Sequence, residues 1–129
     1  MPVIARYAIV TLTPLALLLL GAMVRGEFAL AALVWLTLLA AVLDGLLERP
    51  AAADGAEPWA TRLSVVLALG HLVLLPVALV ALAGPALDLG QKIALFLGTA
   101  SFVGQVSHPN AHELIHRDRA LLRGLGVAV

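Results

Sequence analysis

"LSVVLALGHLVLLPVALVALA", residues 63 to 83, carries Ser64 and His71 as its only polar side chains. A bilayer core about 30 Å thick is crossed by roughly 20 apolar residues in a helix, so the stretch reads as a membrane span. Working outward, three further apolar runs appear. Tyr7 to Val24 and Phe28 to Leu43 lie upstream, separated by Arg25, Gly26 and Glu27, a link short enough to demand an antiparallel hairpin. Downstream, Ile93 to Val106 is short for a full span and leads straight into a histidine-rich segment. Between the second and third runs, "DGLLERPAAADGAEPWAT" has the Pro, Ala, Gly and acidic content of a surface loop. The predicted fold class is all-α: a polytopic membrane protein with about four transmembrane helices, followed by a histidine-bearing helix. Residues 1–129 are taken as one transmembrane region.

Composition agrees with this class. The chain is 62% hydrophobic and 12% charged, far from the balance of a soluble domain. It has no cysteine, which excludes disulfides, thiolate metal sites and a built-in iron–sulfur centre. Eight Lys plus Arg balance eight Asp plus Glu, and no basic stripe with interleaved aromatics is present, so nucleic acid is not an expected partner.

Pro14 and Pro76 interrupt apolar runs, where membrane helices accept proline as a kink. Small residues Gly98, Ala100, Ser101 and Gly104 would let the fourth run pack closely on its neighbours. The first run is read as a retained anchor, because no small-residue cleavage site precedes the next apolar stretch. Counting cations on alternate sides of four spans puts Arg6, Arg49, Arg62, Arg117, Arg119 and Arg123 together against Arg25 and Lys92. By the positive-inside rule, the N-terminus and the histidine segment face the cytoplasm.

That segment, "SHPNAHELIHRDRALLRGLG", spans residues 107 to 126. Helical residues four apart share a face, so His112 and His116 can present two imidazoles to one side, with His108 a turn earlier. Pro109 is welcome only in a first helical turn, and Asn110 with Glu113 has capping-box spacing, so a new helix is expected to begin at 108 to 110. His108 then sits near the cap, bonded to water or headgroups. His71 is expected to be a neutral imidazole hydrogen-bonded to a neighbouring helix. A pair of imidazoles with a carboxylate between them, at a membrane boundary and followed by arginines, points to metal ligation by His112 and His116.

"HELIH" also satisfies the H-E-x-x-H pattern of zinc proteases, in which the glutamate activates water. Its flanks differ from such a helix, since Pro109 and Asn110 precede it, "RDR" follows at once, and beyond that tripeptide no acidic or histidine third ligand comes later in the chain. A zinc membrane metalloprotease is the alternative reading, and a non-catalytic truncated membrane module is the third.

From Asn110 to Gly126, "NAHELIHRDRALLRGLG" resembles the first histidine box of the membrane alkane 1-monooxygenases, relatives of the integral-membrane fatty-acid desaturases. "AHELIHR" matches from Ala111 to Arg117 and "LLRGLG" supplies the trailing pattern. Pro109 stands where that family places asparagine, with Asn110 one step later. The order of apolar runs, with Asp44 closing the second, also resembles the family's N-terminal half. The resemblance implies that His112 and His116 ligate iron in a di-iron centre, the remaining ligands lying in further histidine boxes outside this sequence. Glu113 would orient an imidazole from behind or cap its own helix. The implied activity is hydroxylation of the terminal carbon of an alkane or related fatty chain, placing the protein in lipid metabolism. Its implied partners are that hydrophobic substrate, dioxygen, membrane lipid and a separate electron donor such as rubredoxin; its implied location is the bacterial inner membrane. Imidazole ligands suit ferrous iron. By the same resemblance the chain is an N-terminal part, inactive alone.

Overall fold

Only Val24, Arg25 and Gly26 separate the first two helices of the computed structural model, which describes residues 3–46 and 58–129. Helix α1 covers Val3–Met23 and α2 covers Glu27–Leu46, and the short turn folds them into an antiparallel pair. The pair closes tightly at Gly21, where a Cβ would lie 2.6 Å from the Ala29 amide nitrogen. Further along, the Trp35 indole nitrogen donates to the Val10 carbonyl at 3.3 Å. Pro14 lies inside α1 and Pro76 inside the third helix, each within continuous helix as expected.

Helix α3 covers Pro58–Ala83. It starts before the predicted Leu63 because proline's fixed φ and missing N–H suit a first helical turn. Pro58 to Thr61 and Asp44 to Leu46, expected as loop, are therefore helical; the rest of that expected loop, 47–57 with Arg49, lies outside the described residues. Helix α4 covers Leu89–Phe102 and begins with a reciprocal cap: Asp88 Oδ1 accepts from the Gln91 amide at 2.8 Å, and Gln91 Oε1 accepts from the Asp88 amide at 3.1 Å.

Beyond Phe102 the backbone does not stop. Val103–Ser107 form a π-helical turn, followed directly by α5, His108–Ile115. The His108 amide donates to the Val103 carbonyl, five residues back. Helical backbone thus runs unbroken from Leu89 to Ile115, about 40 Å at 1.5 Å per residue. The expected fresh start with a capping box at Asn110 is not found: Ser107, the residue before α5, is itself helical and caps nothing with its side chain. The physical reason is Pro109. In a regular α-helix its ring would press on the carbonyl four residues back, and a π turn widens the helix there.

A short α6, Ala120–Ala128, folds back on α5. Gly126 allows this: a Cβ there would be 2.8 Å from the Ala111 carbonyl oxygen and 2.9 Å from the Ile115 nitrogen.

The helices form an antiparallel bundle around Leu15, Leu18, Leu36, Leu74, Leu95 and Phe102. Tyr7 and Thr11 of α1 line the same groove as Leu63 and Ser64 of α3 and Pro109 and Asn110 of α5, which puts these segments at one end. The α1–α2 turn meets Leu87 and Gln91 at the other end. Arg6, Arg62, Arg117, Arg119 and Arg123 accordingly fall toward the first end, Arg25 and Lys92 toward the second. Of the small residues in the fourth run, Gly98 makes the expected close approach, a Cβ there lying 2.9 Å from Leu18 Cδ2, whereas Ala100 and Gly104 are exposed.

All described regular structure is helical, with no strand among the described residues. Ala5–Met23 and Pro58–Ala83 are long and apolar enough to cross a membrane, by length and composition. The described side chains of α2 give a shorter apolar stretch, Glu27–Leu38. Large apolar side chains including Leu38, Val66, Val73, Val80 and Phe96 point outward from the bundle.

Candidate metal centre

The π turn decides where the histidines point. It inserts an extra residue into the helix, turning everything beyond Ser107 by roughly 100° relative to an uninterrupted α-helix. Asn110 is thereby turned inward, buried, and its Nδ2 donates to the Ser64 carbonyl of α3 at 2.9 Å. Leu114, one turn on, is fully buried. With Asn110, Ala111 and Leu114 facing the protein, His112 and His116 are left on the outer face of α5, both exposed.

Their rings lie side by side, with centroids 4.6 Å apart and planes at 60°. His112 is in the last turn of α5, and His116 is the residue after it, with φ −82° and ψ 1°. This places both imidazoles at a helix C-terminus, where the helix dipole favours a cation. Two neighbouring imidazoles on an exposed helix end can share one metal ion, each nitrogen at about 2.1 Å. Among the described residues no group of three or more His, Asp or Glu side chains is placed to hold a metal. The pair is therefore at most half of a tetrahedral set.

Glu113 pairs along its own helix. Its Oε1 accepts from Arg117 Nη2 at 2.6 Å, an i,i+4 ion pair on the surface of α5, so it caps no helix terminus. Arg117 in turn is held from behind: Arg123 Nη1 donates to the Arg117 carbonyl at 3.2 Å and to the Asp118 carbonyl at 2.6 Å. These two bonds satisfy carbonyls of the α5–α6 loop and tie it to α6.

The other two histidines are apart from the pair. His108 is exposed at the start of α5, in keeping with a solvated or headgroup-facing ring. His71 is 2% exposed in the middle of α3, and its Nδ1 has no hydrogen-bond partner among the described residues. The expected bond to a neighbouring helix is not made by Nδ1. Thr99 Oγ1 and Ser107 Oγ are likewise buried and unpartnered among the described residues.

The sequence reading passed over Asn110 as a tether, Arg123 as a clamp and Gly126 as a contact point. A proline inside helical periodicity and a glycine between Leu125 and Val127 were the available signals. No known family, characterised protein or solved structure matches the chain.

Proposed function

We propose that the chain is the membrane-embedded, N-terminal part of a non-haem di-iron monooxygenase acting on the terminal carbon of an alkane or related fatty chain. In this reading α1, α2, α3 and the continuous run from α4 through α5 cross the bilayer, with the chain's N-terminus and the histidine pair at the cytoplasmic face. The outward apolar side chains and the segregation of arginines toward the histidine end support that placement. The core positions of Leu15 and Leu18 support a retained α1, since its removal would open the bundle.

The observation that carries the functional reading is the exposed pair of imidazoles, 4.6 Å apart, on a helix end positioned by the buried Asn110 tether. His112 and His116 would hold iron by ring nitrogens, and bound iron would supply dioxygen activation for oxidation of a C–H bond. The chain's own contribution is to fix the two rings and to present them beside an apolar bundle reached through lipid. The remaining ligands, the substrate, dioxygen and an electron donor such as rubredoxin all come from outside these residues. A zinc protease would need Glu113 free to activate water, and its pairing with Arg117 weighs against that.

The test is an anaerobic Fe(II) titration of the detergent-solubilised chain, read by histidine NMR resonances. The expected result is weak saturable binding that His112→Ala and His116→Ala each reduce by at least about tenfold, the lower bound for losing an outer partner of a ligand. Unchanged binding in either variant would sink the proposal.

A further inference from the structure

On the far side of α3 from its groove with α1, a cleft of about 470 Å³ opens between the start of α3 and the α5–α6 loop. We propose that this cleft binds the phosphodiester headgroup of an anionic phospholipid. It is lined by Thr61 and Arg62 of α3, by Arg117, Asp118 and Arg119 of the loop, and by Leu122 of α6. Three arginines from two separate elements line it, with Asp118 the one acidic residue of the lining and Glu113 paired to Arg117 beside it. Guanidinium groups match phosphate oxygens with paired, parallel N–H donors, so several of them around one cavity is a phosphate-recognising arrangement.

Two further observations point to a ligand. Arg117 Nε is buried and has no hydrogen-bond partner among the described residues, although the same side chain's Nη2 is engaged by Glu113. The Arg117 guanidinium therefore keeps donor capacity that Glu113 does not use. The loop backbone is also held rigidly by the two Arg123 bonds, so its arginines are presented from a fixed frame.

Depth selects the lipid over a soluble anion. The cleft sits where the Pro58–Ala83 helix begins, and Trp59 on that first turn is exposed with the Arg62 guanidinium 4.9 Å from its ring centre. Tryptophan and arginine together at the end of an apolar helix mark the headgroup layer. The inference rests on the membrane placement proposed above and is independent of metal binding, so loss of iron affinity and loss of lipid preference would be separate results.

The experiment reconstitutes the full chain in nanodiscs of equimolar phosphatidylglycerol and phosphatidylcholine, then reads co-purifying lipid by native mass spectrometry. The expected outcome is enrichment of phosphatidylglycerol, reduced about fivefold by Arg62→Gln and again by Arg119→Gln. Arg25→Gln, at the opposite end, leaves the enrichment intact. Arg119 lies in the loop rather than in a packed helix, so its variant tests the site even where Arg62→Gln impairs folding; circular dichroism checks both. Absence of enrichment in the parent chain, or an equal loss in Arg25→Gln, would overturn the proposal. So would a parallel titration in which inorganic phosphate displaces phosphatidylglycerol at equal concentration, since the ligand would then be a soluble anion.

Discussion

At the end of the bundle where α1 turns into α2 and α3 into α4, polar groups are used up locally. Asp88 and Gln91 satisfy each other's backbone, the Gln91 side chain packs where Gly26 leaves room, and the α1–α2 turn closes with its own backbone bonds. The opposite end has two adjacent exposed imidazoles and two buried unpartnered atoms, Arg117 Nε and the Ser107 hydroxyl, while His71 Nδ1 and Thr99 Oγ1 are unpartnered in the middle of the bundle. Buried polar groups in folded proteins are nearly always paired, and none of the unpartnered ones lies at the closed end among the described residues. The closed end holds the α1–α2 and α3–α4 reversals, and the other end carries the exposed histidine pair.

The contrast can be broken first with glycine. Gly21 and Gly126 face the same steric problem, since a Cβ at either would come within 3 Å of backbone atoms on the facing helix. Their settings differ: Gly21 joins α1 to α2 within the bundle, whereas Gly126 docks only the terminal α6 on α5. Gly21→Ala should destabilise the fold by about 2–3 kcal/mol as an overpacked contact between two backbones. Gly126→Ala should leave the unfolding midpoint nearly unchanged and release α6 alone. Unfolding in mixed micelles, followed by circular dichroism with a fluorescent label on α6, separates the two. Equal loss of global stability would mean that the histidine end is as much a part of the fold as the closed end.

The next effect in size is at the tether. Asn110→Ala removes the bond to Ser64 and leaves a hole beside α3, for a cost of about 1–1.5 kcal/mol. Because Asn110 holds the register in which His112 and His116 face outward, the variant should also change the chemical shifts of both imidazoles. A stability loss without any such change would show that the π turn alone sets their orientation.

Physical reasons explain which of these features the sequence made readable. Apolar length is a property of each run by itself, so the helical character of α1 to α4 and the hairpin at Arg25 and Gly26 could be read directly. The end of α4 was harder to read. Pro109 signalled that a regular helix must yield, and the local reading took that as a break with Asn110 as cap. The structure instead accommodates Pro109 by widening the helix into a π turn, and Asn110, turned inward, finds an acceptor on α3 that no local pattern can reveal. The same competition displaced Glu113, whose spacing to Asn110 suggested a cap while its spacing to Arg117 gave the ion pair. The histidine pair was legible as i,i+4 neighbours. Whether a third donor joins them was not, since none of the described residues supplies it.

The smallest effect tests what Glu113 contributes. Its side chain is 57% exposed, so the ion pair with Arg117 is worth only about 0.3–0.5 kcal/mol, and Glu113→Gln should barely move the unfolding midpoint. The informative readout is Fe(II) affinity. A carboxylate that oriented a ligating imidazole would, on removal, weaken binding by about 10–100-fold. With Glu113 committed to Arg117, the glutamine variant should bind iron within about twofold of the parent, because neither ring relies on it for position. A loss of tenfold or more would mean that the carboxylate turns from Arg117 to an imidazole once metal binds, and the surface ion pair would then be the resting arrangement of a group that serves the metal.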